Sequence, residues 1–336
     1  MTEFNSFPIR RLRRFREKEF IRKILQENTL NVDDLIYPIF VSEGITEKQL
    51  IKSMPGIYRH SLETILYEIE KCSALKMPAV AIFPVINQTK KDNEGSEAFN
   101  ENGLIPQVIK KIKNSFPEIG VISDVALDPY TSHGQDGFVD QQGKIDNDKT
   151  IQLLRKQALV HARAGADIIA PSDMMDGRII EIRKHLDSNN FYGLPIMSYS
   201  SKFSSAFYGP FRDAVKSSNN LSGKNKDTYQ INVANFKEAF LESYIDIQEG
   251  ADFLMVKPGM PYLDVLFNLT QKVLLPVFAY QVSGEYAMLK NAVNNGIIKE
   301  SAILESLISF KRAGARGILS YFALEVAEKI SSQYIS

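Results

Sequence analysis

The chain has 336 residues and carries 40 Lys plus Arg against 40 Asp plus Glu, so its formal net charge is zero. Nucleic-acid-binding proteins usually show a basic excess, and this balance disfavours such a partner. No apolar run approaches the ~18 residues that a membrane-spanning helix needs, and the charged N-terminus lacks the apolar centre of a secretory signal. We therefore expect neither a nucleic-acid nor a membrane partner. We expect a cytoplasmic location, or an organelle stroma if the chain is a processed form.

The chain contains a single cysteine, Cys72, inside a predicted amphipathic helix. One cysteine can form neither an internal disulfide nor a thiolate zinc cluster. We interpret Cys72 as a small, half-buried core residue, which agrees with a reducing compartment.

Residues 1–33 differ from the rest of the chain and are predicted to form an N-terminal arm. The arm is rich in arginine and lysine, and Phe15, Phe20, Ile21 and Leu25 recur at helical spacing. That spacing favours a short helix that packs on something, such as another subunit. The alternative is a solvated tail.

From residue 34 onward, apolar runs rich in β-branched residues alternate with helical patterns. The eight runs lie at 35–41, 79–85, 120–127, 166–172, 195–200, 253–258, 277–283 and 317–324. Runs without polar alternation are typical of parallel strands covered on both faces. Eight of them with helices between predict an α/β fold, a (β/α)8 TIM barrel over 34–336. No Gly-x-Gly-x-x-Gly motif follows the first run, which disfavours a dinucleotide-binding fold.

Two lysines stand at the ends of neighbouring predicted strands. Lys202 follows the fifth run, and the strand of the sixth run is expected to end at Lys257. Barrel enzymes place their working residues at strand carboxyl ends. A lysine attacks a carbonyl carbon only as the free amine, which is scarce at neutral pH unless burial or a second ammonium lowers its pKa. The pair therefore predicts imine chemistry with loss of water. Asp124, on the third run, is a candidate proton acceptor.

Residues 201–230 interrupt the alternation of strands and helices. This long segment follows the fifth predicted strand and includes Lys202. Long loops of compact domains are often lids over an active site. We therefore predict that 201–230 is an active-site lid.

Five sequence blocks that carry these residues resemble the porphobilinogen synthase family, the δ-aminolevulinic acid dehydratases. They are DVALDPYTSHGQDG (124–137), APSDMMDGR (170–178), SYSSKFSSAFYGPFRDA (198–214), MVKPGMPYLD (255–264) and AYQVSGEYAM (279–288). The resemblance covers nearly the whole chain. It implies a lyase of tetrapyrrole (heme) biosynthesis that condenses two 5-aminolevulinate molecules into porphobilinogen, without an organic cofactor.

The resemblance also implies roles for individual residues. Lys257 would bind the first substrate as an imine, with Ser283 and Tyr321 at the carboxylate of that substrate. Lys202 would bind the second substrate. The residues expected at the second carboxylate are Arg212, Gln230 and the basic residue Lys226, with Lys224 as a competitor for the last position.

The metal motif departs from one branch of the family. Where that branch has three zinc-binding cysteines, this chain has Ala126, Asp128 and Asp136. Zinc favours sulfur and nitrogen ligands, so no zinc site is expected. Whether Asp124, Asp128 and Asp136 hold magnesium, a monovalent cation or no ion stays open.

The magnesium-dependent branch has a second, allosteric ion site. Its ligand glutamate matches Glu242, so the resemblance implies a magnesium ion there, bound through water near a subunit contact. In the family that ion favours a homo-octamer. The basic arm residues Arg11, Arg13 and Arg14 fit such a contact, without individual roles.

Two other functions were weighed against this one. A single-lysine class I aldolase-like or dihydrodipicolinate-synthase-like barrel explains one lysine and leaves the other, and Arg212, without purpose. A catalytically silent barrel that acts as an oligomeric scaffold would be favoured by loss of either lysine, and the sequence retains both.

Overall fold

The structure is a computed structural model that describes residues 6–216 and 225–333. Residues 217–224 of the predicted lid, which include Lys224, lie outside the described residues. In the arm, a 3-10 turn at Leu12–Phe15 precedes the short helix α1 at Glu19–Ile24. The predicted helical spacing of the arm thus corresponds to a helix of six residues.

Eight parallel strands form a barrel. They are β1 Leu35–Ser42, β2 Ala79–Val85, β3 Gly120–Val125, β4 Ile168–Pro171, β5 Met197–Lys202, β6 Phe253–Lys257, β7 Val277–Gln281 and β8 Ile318–Ser320. Their order in the sheet is β4-β3-β2-β1-β8-β7-β6-β5. A parallel bridge between Ile169 and Ile196 brings β4 beside the start of β5 and closes the ring. The predicted (β/α)8 barrel is confirmed.

Helices cover the barrel from outside. They are α2 Ile65–Ala74, α3 Leu104–Ser115, α4 Asn147–Ala164, α5 Arg178–Ser188, α6 Gly209–Ala214, α7 Lys237–Glu249, α8 Leu263–Lys272, α9 Ser283–Asn294, α10 Ser301–Arg312 and α11 Ala323–Gln333. The boundaries of α4 follow from local chemistry. The Asp146 carboxylate accepts the Lys149 N–H before its first turn, and Gly165, with φ at 100°, ends it in a left-handed conformation.

The barrel strands read as apolar runs because both of their faces are covered. All eight residues of β1 are buried between the barrel interior and the helices. Cys72 is completely buried in this core, deeper than the half-buried position expected for it. None of the described helices is long and apolar enough to cross a membrane.

Three strand boundaries differ from the sequence expectation. Lys202 is the last residue of β5 and does not follow it. Ser283 was expected at the end of strand seven, but β7 stops at Gln281 and Ser283 begins α9. Tyr321 lies directly after β8, which spans only three residues. All three residues nevertheless stay at the carboxyl end of the barrel.

A small hairpin lies between β1 and α2. Its strands, Gln49–Leu50 and Tyr58–His60, pair antiparallel, and the second strand also pairs in parallel with the end of β1. The hairpin therefore extends the sheet at the carboxyl end of the barrel, beside the short helix α6.

Candidate active site

The two predicted lysines are neighbours at the carboxyl ends of adjacent strands. Lys202 ends β5, Lys257 ends β6, and the two are paired in the register of the sheet. Their side chains point into the barrel mouth and are nearly buried, with exposed fractions of 6% and 7%. The sequence interpretation that two lysines share one pocket agrees with this placement.

Lys257 lies among aromatic rings. Its Nζ is 4.6 Å from the ring centre of Tyr280, 5.0 Å from that of Tyr199, 5.4 Å from that of Phe211 and 5.5 Å from that of Tyr208. We call these four residues the aromatic cage. Ring faces favour an ammonium, but burial disfavours it more strongly. Burial, followed by repulsion from Lys202, lowers the pKa of Lys257 to about 7 against opposing attraction from Asp124, Asp128 and Asp136.

Lys202 has a polar environment, in contrast to Lys257. Its ammonium donates to the main-chain oxygen of Ser172, at the end of β4, and lies 3.3 Å from Oδ2 of Asp136. An amine that donates to two acceptors is held in one position. Release of a proton from Lys202 would leave Asp136 nearby as the acceptor.

Asp128 and Asp136 are bridged by Lys226. The Lys226 ammonium lies 2.5 Å from Oδ1 of Asp136 and 3.1 Å from Oδ2 of Asp128. Burial alone would raise the pKa of Asp136, but the charges of Lys202 and Lys226 outweigh it and hold that pKa below its usual value. Burial would lower the pKa of Lys226, and the two aspartates raise it instead. The three residues form a buried ionic cluster.

The arrangement of this cluster bears on the open question of an ion at Asp124, Asp128 and Asp136. Lys226 takes the position between Asp128 and Asp136 that a cation would need. In the described part of the chain, no group of three or more His, Cys, Asp or Glu side chains is placed to hold a metal ion. In this arrangement Lys226 supplies the positive charge between Asp128 and Asp136, and whether an ion binds at the three aspartates stays open.

Asp124, on β3, faces the same mouth. Burial raises its pKa to about 7, against the attraction of Lys257 and a hydrogen bond from Ser172. Its Oδ1 is inaccessible to solvent and has no hydrogen-bond partner among the described residues. A carboxyl group with a pKa near neutrality and one unused oxygen is suited to accept and return a proton.

A cavity of about 40 Å³ lies beside the two lysines. Its lining includes Lys202, Lys257, Arg212, Lys226 and Gln230. Oε1 of Gln230 is buried and has no partner among the described residues. The predicted carboxylate-binding residues of the second substrate are thus brought together beside both lysines. The cavity volume is close to that of one water molecule, so the surrounding side chains must separate before a substrate enters.

Ser283 and Tyr321 lie on the side of Lys257. The Ser283 hydroxyl accepts the Phe211 N–H at 2.9 Å, and the Tyr321 hydroxyl is 2.9 Å from that of Tyr280 in the aromatic cage. Both side chains are buried. In this arrangement they contact the walls of the site, and a substrate carboxylate would replace these internal partners.

Glu242 lies apart from the lysines, on α7. Burial raises its pKa to about 7, opposed by Arg178 and reinforced by nearby Asp246, Asp176 and Glu238. It lines an outer cavity of about 780 Å³, and Gln230 lines both this cavity and the small one beside the lysines. A concentration of negative charge in an open cavity suits a hydrated cation.

The aromatic cage was not identified from the sequence. Strict alternation along β5 would place Tyr199 on the face opposite Lys202. The register shifts between Ser198 and Ser201, so that Ser200 and Ser201 both contact Ser243 on α7 while Tyr199 and Lys202 both face the mouth. A bulge of this kind leaves no signal in an apolar run. Only Tyr199 and Tyr280 lie on strands, and Tyr208 and Phe211 follow β5 in the chain.

The chain matches known proteins over nearly its whole length. The profile of the family described as "Delta-aminolevulinic acid dehydratase" matches residues 9–329. A delta-aminolevulinic acid dehydratase of Bradyrhizobium diazoefficiens is 52% identical over 96% of this chain and 91% of its own length. One from Halalkalibacterium halodurans is 47% identical over 98% of this chain and 99% of its own length.

A solved structure extends the comparison to three dimensions. Delta-aminolevulinic acid dehydratase of Toxoplasma gondii, crystallised with the reaction product porphobilinogen, superposes with a TM-score of 0.95. It is 46% identical, and the match covers 97% of this chain and 93% of that one. With its paired lysines at the mouth of a parallel barrel, the chain belongs to the delta-aminolevulinic acid dehydratase family.

Proposed function

We propose that this chain condenses two molecules of 5-aminolevulinate into porphobilinogen with loss of two waters, through imines on Lys257 and Lys202. The observation that carries the proposal is the pairing of two buried lysines at the ends of β5 and β6, one of which has a pKa of about 7. A lysine with that pKa is about half in the amine form at neutral pH, which nucleophilic attack on a ketone requires.

Lys257 binds the first substrate. Its amine adds to the ketone carbon, water leaves, and the resulting iminium carries a positive charge that withdraws electrons from the neighbouring carbon. The aromatic cage excludes water and presents ring faces to that charge. Asp124 accepts and returns protons beside it, because burial places the pKa of this carboxyl group near 7.

Lys202 binds the second substrate and must first lose a proton. Asp136 is within 3.3 Å of its ammonium and is the nearest carboxylate acceptor that the structure describes. The two lysines are adjacent in register, so the substrates are held side by side and the bond-forming carbons need no long approach.

The substrate carboxylates are bound at opposite sides of the mouth. Ser283 and Tyr321 serve the first carboxylate, while Arg212, Lys226 and Gln230 serve the second. Support comes from Arg212, Lys226 and Gln230 lining one cavity with both lysines. Lys226 has to exchange Asp128 and Asp136 for the substrate, in concert with opening of the 201–230 lid.

Magnesium acts at a distance from the lysines. We propose that a hydrated magnesium ion binds at Glu242, where the carboxylates of Asp176 and Glu238 add negative charge, and that it favours a homo-octamer. Exposed apolar residues of the arm, such as Phe20 at 59% exposure, supply a surface for the subunit contact. The bound ion raises the population of the assembly that binds it by mass action. We propose a cytoplasmic location, or an organelle stroma for a processed form.

The test is product analysis with 5-aminolevulinate, with and without magnesium and a chelator. Borohydride should trap both Lys257 and Lys202 as secondary amines, detected by peptide mass mapping. Porphobilinogen formation with both adducts supports the proposal. Trapping at one lysine alone, with no porphobilinogen, would instead favour a single-lysine aldolase-like enzyme.

A further inference from the structure

Arg59 lies outside the residues assigned to the reaction, yet it contacts the helix that carries Arg212. It belongs to the hairpin strand Tyr58–His60 and pairs with Phe40 of β1 in the sheet register. Its side chain is 7% exposed. Arg59 is therefore fixed to the rigid barrel, and its contact with Ala214 of α6 spans 155 residues of sequence.

The guanidinium of Arg59 binds the carboxyl end of α6. Nε donates to the main-chain oxygen of Ala214 at 2.5 Å, and Nη2 donates to that of Asp213 at 2.6 Å. The Asp213 carboxylate lies 3.7 Å from Nη2 and accepts the Ser53 hydroxyl at 2.5 Å. A cation at this position adds a donor to the carbonyl oxygens of the last turn, of which that of Asp213 also accepts the Lys216 N–H, and complements the helix dipole.

The other end of α6 is held by α9. The Ser283 hydroxyl accepts the Phe211 N–H and donates to the main-chain oxygen of Phe207 at 3.4 Å. Gly284 allows the close approach, because a Cβ there would lie 2.4 Å from that same oxygen. Arg212 thus lies on a six-residue helix fixed at both ends by parts of the barrel.

We propose that Arg59 is a positioning residue for the carboxylate of the second substrate: by fixing the carboxyl end of α6, it aims Arg212 into the cavity beside Lys202. The inference rests on the proposed role of Arg212. A guanidinium is suited to this task because its planar fork binds two carbonyl groups at a fixed angle, which an ammonium on a flexible stem does not. A small displacement of Arg212 is sufficient to weaken binding of the second substrate.

The first test is Arg59→Lys, which keeps the charge and removes the fork. We expect the KM for 5-aminolevulinate to rise about tenfold while kcat changes by less than about twofold. Trapping of Lys257 at low substrate should change much less than KM, because the first substrate does not use Arg212 and Ser283 still holds Phe211 of the aromatic cage. If Arg59→Lys does not fold, Asp213→Asn weakens the same contact from a half-exposed side chain and should raise KM about threefold.

Arg183→Lys is the matched control. The Arg183 guanidinium also donates to two main-chain oxygens, those of Leu194 and Phe191, and pairs with Asp187. These contacts lie before β5, at the opposite end of the barrel from the lysines. Arg183→Lys should lower the melting temperature as Arg59→Lys does and leave KM unchanged. An equal KM rise in both variants would mean general loosening of the fold and would overturn the inference.

The double variant Arg59→Lys/Arg212→Lys distinguishes a failure of the proposed role of Arg59 from a failure of the proposed role of Arg212. Arg212→Lys alone should raise KM, and in that background Arg59→Lys should add little, because it acts through Arg212. If Arg212→Lys leaves KM unchanged, the proposed role of Arg212 is wrong. If Arg212→Lys raises KM but Arg59→Lys does not, or if the two effects multiply independently, the role of Arg59 is wrong.

Discussion

Replacement of Lys202 should change the pH at which Lys257 becomes reactive. Lys202→Met removes a positive charge beside Lys257, and Lys202→Arg retains one. Neither variant can form an imine at position 202, so neither should produce porphobilinogen. Only the methionine variant should shift the pH dependence of imine formation at Lys257.

The magnitude follows from the causes that lower the pKa of Lys257. Its pKa lies at about 7 against a usual 10.5, with burial as the larger cause and Lys202 as the second. Two unit charges 4 Å apart at an effective dielectric constant of ~20 repel by roughly 4 kcal/mol, or about three pH units, which is the upper limit for such a pair. With a larger separation and partial screening, Lys202→Met should raise the midpoint by about one to two units.

The assay is borohydride trapping at Lys257 with 5-aminolevulinate, quantified by peptide mass mapping between pH 5 and pH 10. Trapping should increase as pH rises through about 7 in the Lys202→Arg variant, because the amine form of Lys257 attacks the ketone. In Lys202→Met the same increase should come at higher pH. Equal midpoints in the two variants would refute the claim that the charge of Lys202 contributes to the low pKa of Lys257.

Three further predictions concern the second substrate, the ion and the packing of α6. Arg212→Ala should weaken capture of the second substrate by about 1.5–3 kcal/mol, seen as a rise in KM; an unchanged KM would contradict it. Glu242→Ala should keep basal turnover and lose magnesium stimulation, and sedimentation with and without magnesium should show no change in its octamer fraction. Gly284→Ala should lower the free energy of unfolding in urea by about 1–3 kcal/mol, because the new methyl group meets the Phe207 oxygen at 2.4 Å. Gly193→Ala, which meets nothing within 4 Å, should not.

The barrel and the lysine pair were predictable because they depend on local patterns. Apolar runs report strands covered on both faces, and parallel strands place their carboxyl ends at one edge. Lys202 and Lys257 end consecutive strands, so their proximity follows once the barrel is accepted. The ends of the strands were harder to predict. The sequence predicts Ser283 and Tyr321 on strands, whereas Ser283 begins the helix after β7 and Tyr321 directly follows β8.

Contacts between distant segments could not be predicted. Lys226 is separated from Asp136 by 90 residues and from Asp128 by 98, and nothing in the sequence indicates that it bridges them. We assigned Lys226 to the substrate and the two aspartates to an open question about metals. The contact of Arg59 with α6 is equally distant in sequence. Such pairings depend on how loops meet above the barrel, which periodicity does not report.

The ion pair between Lys226 and Asp136 connects binding of the second substrate with the proton on Lys202. If Lys226 turns to the carboxylate of that substrate, Asp136 keeps only Lys202 as a charged partner among the described residues. A buried carboxylate that loses a cation gains affinity for a proton, and the proton within reach is on Lys202. In the proposed mechanism, binding of the second carboxylate would therefore favour proton transfer from Lys202 to Asp136. Lys226 thus neutralises Asp136 before binding, and in the proposed exchange it neutralises the substrate carboxylate instead.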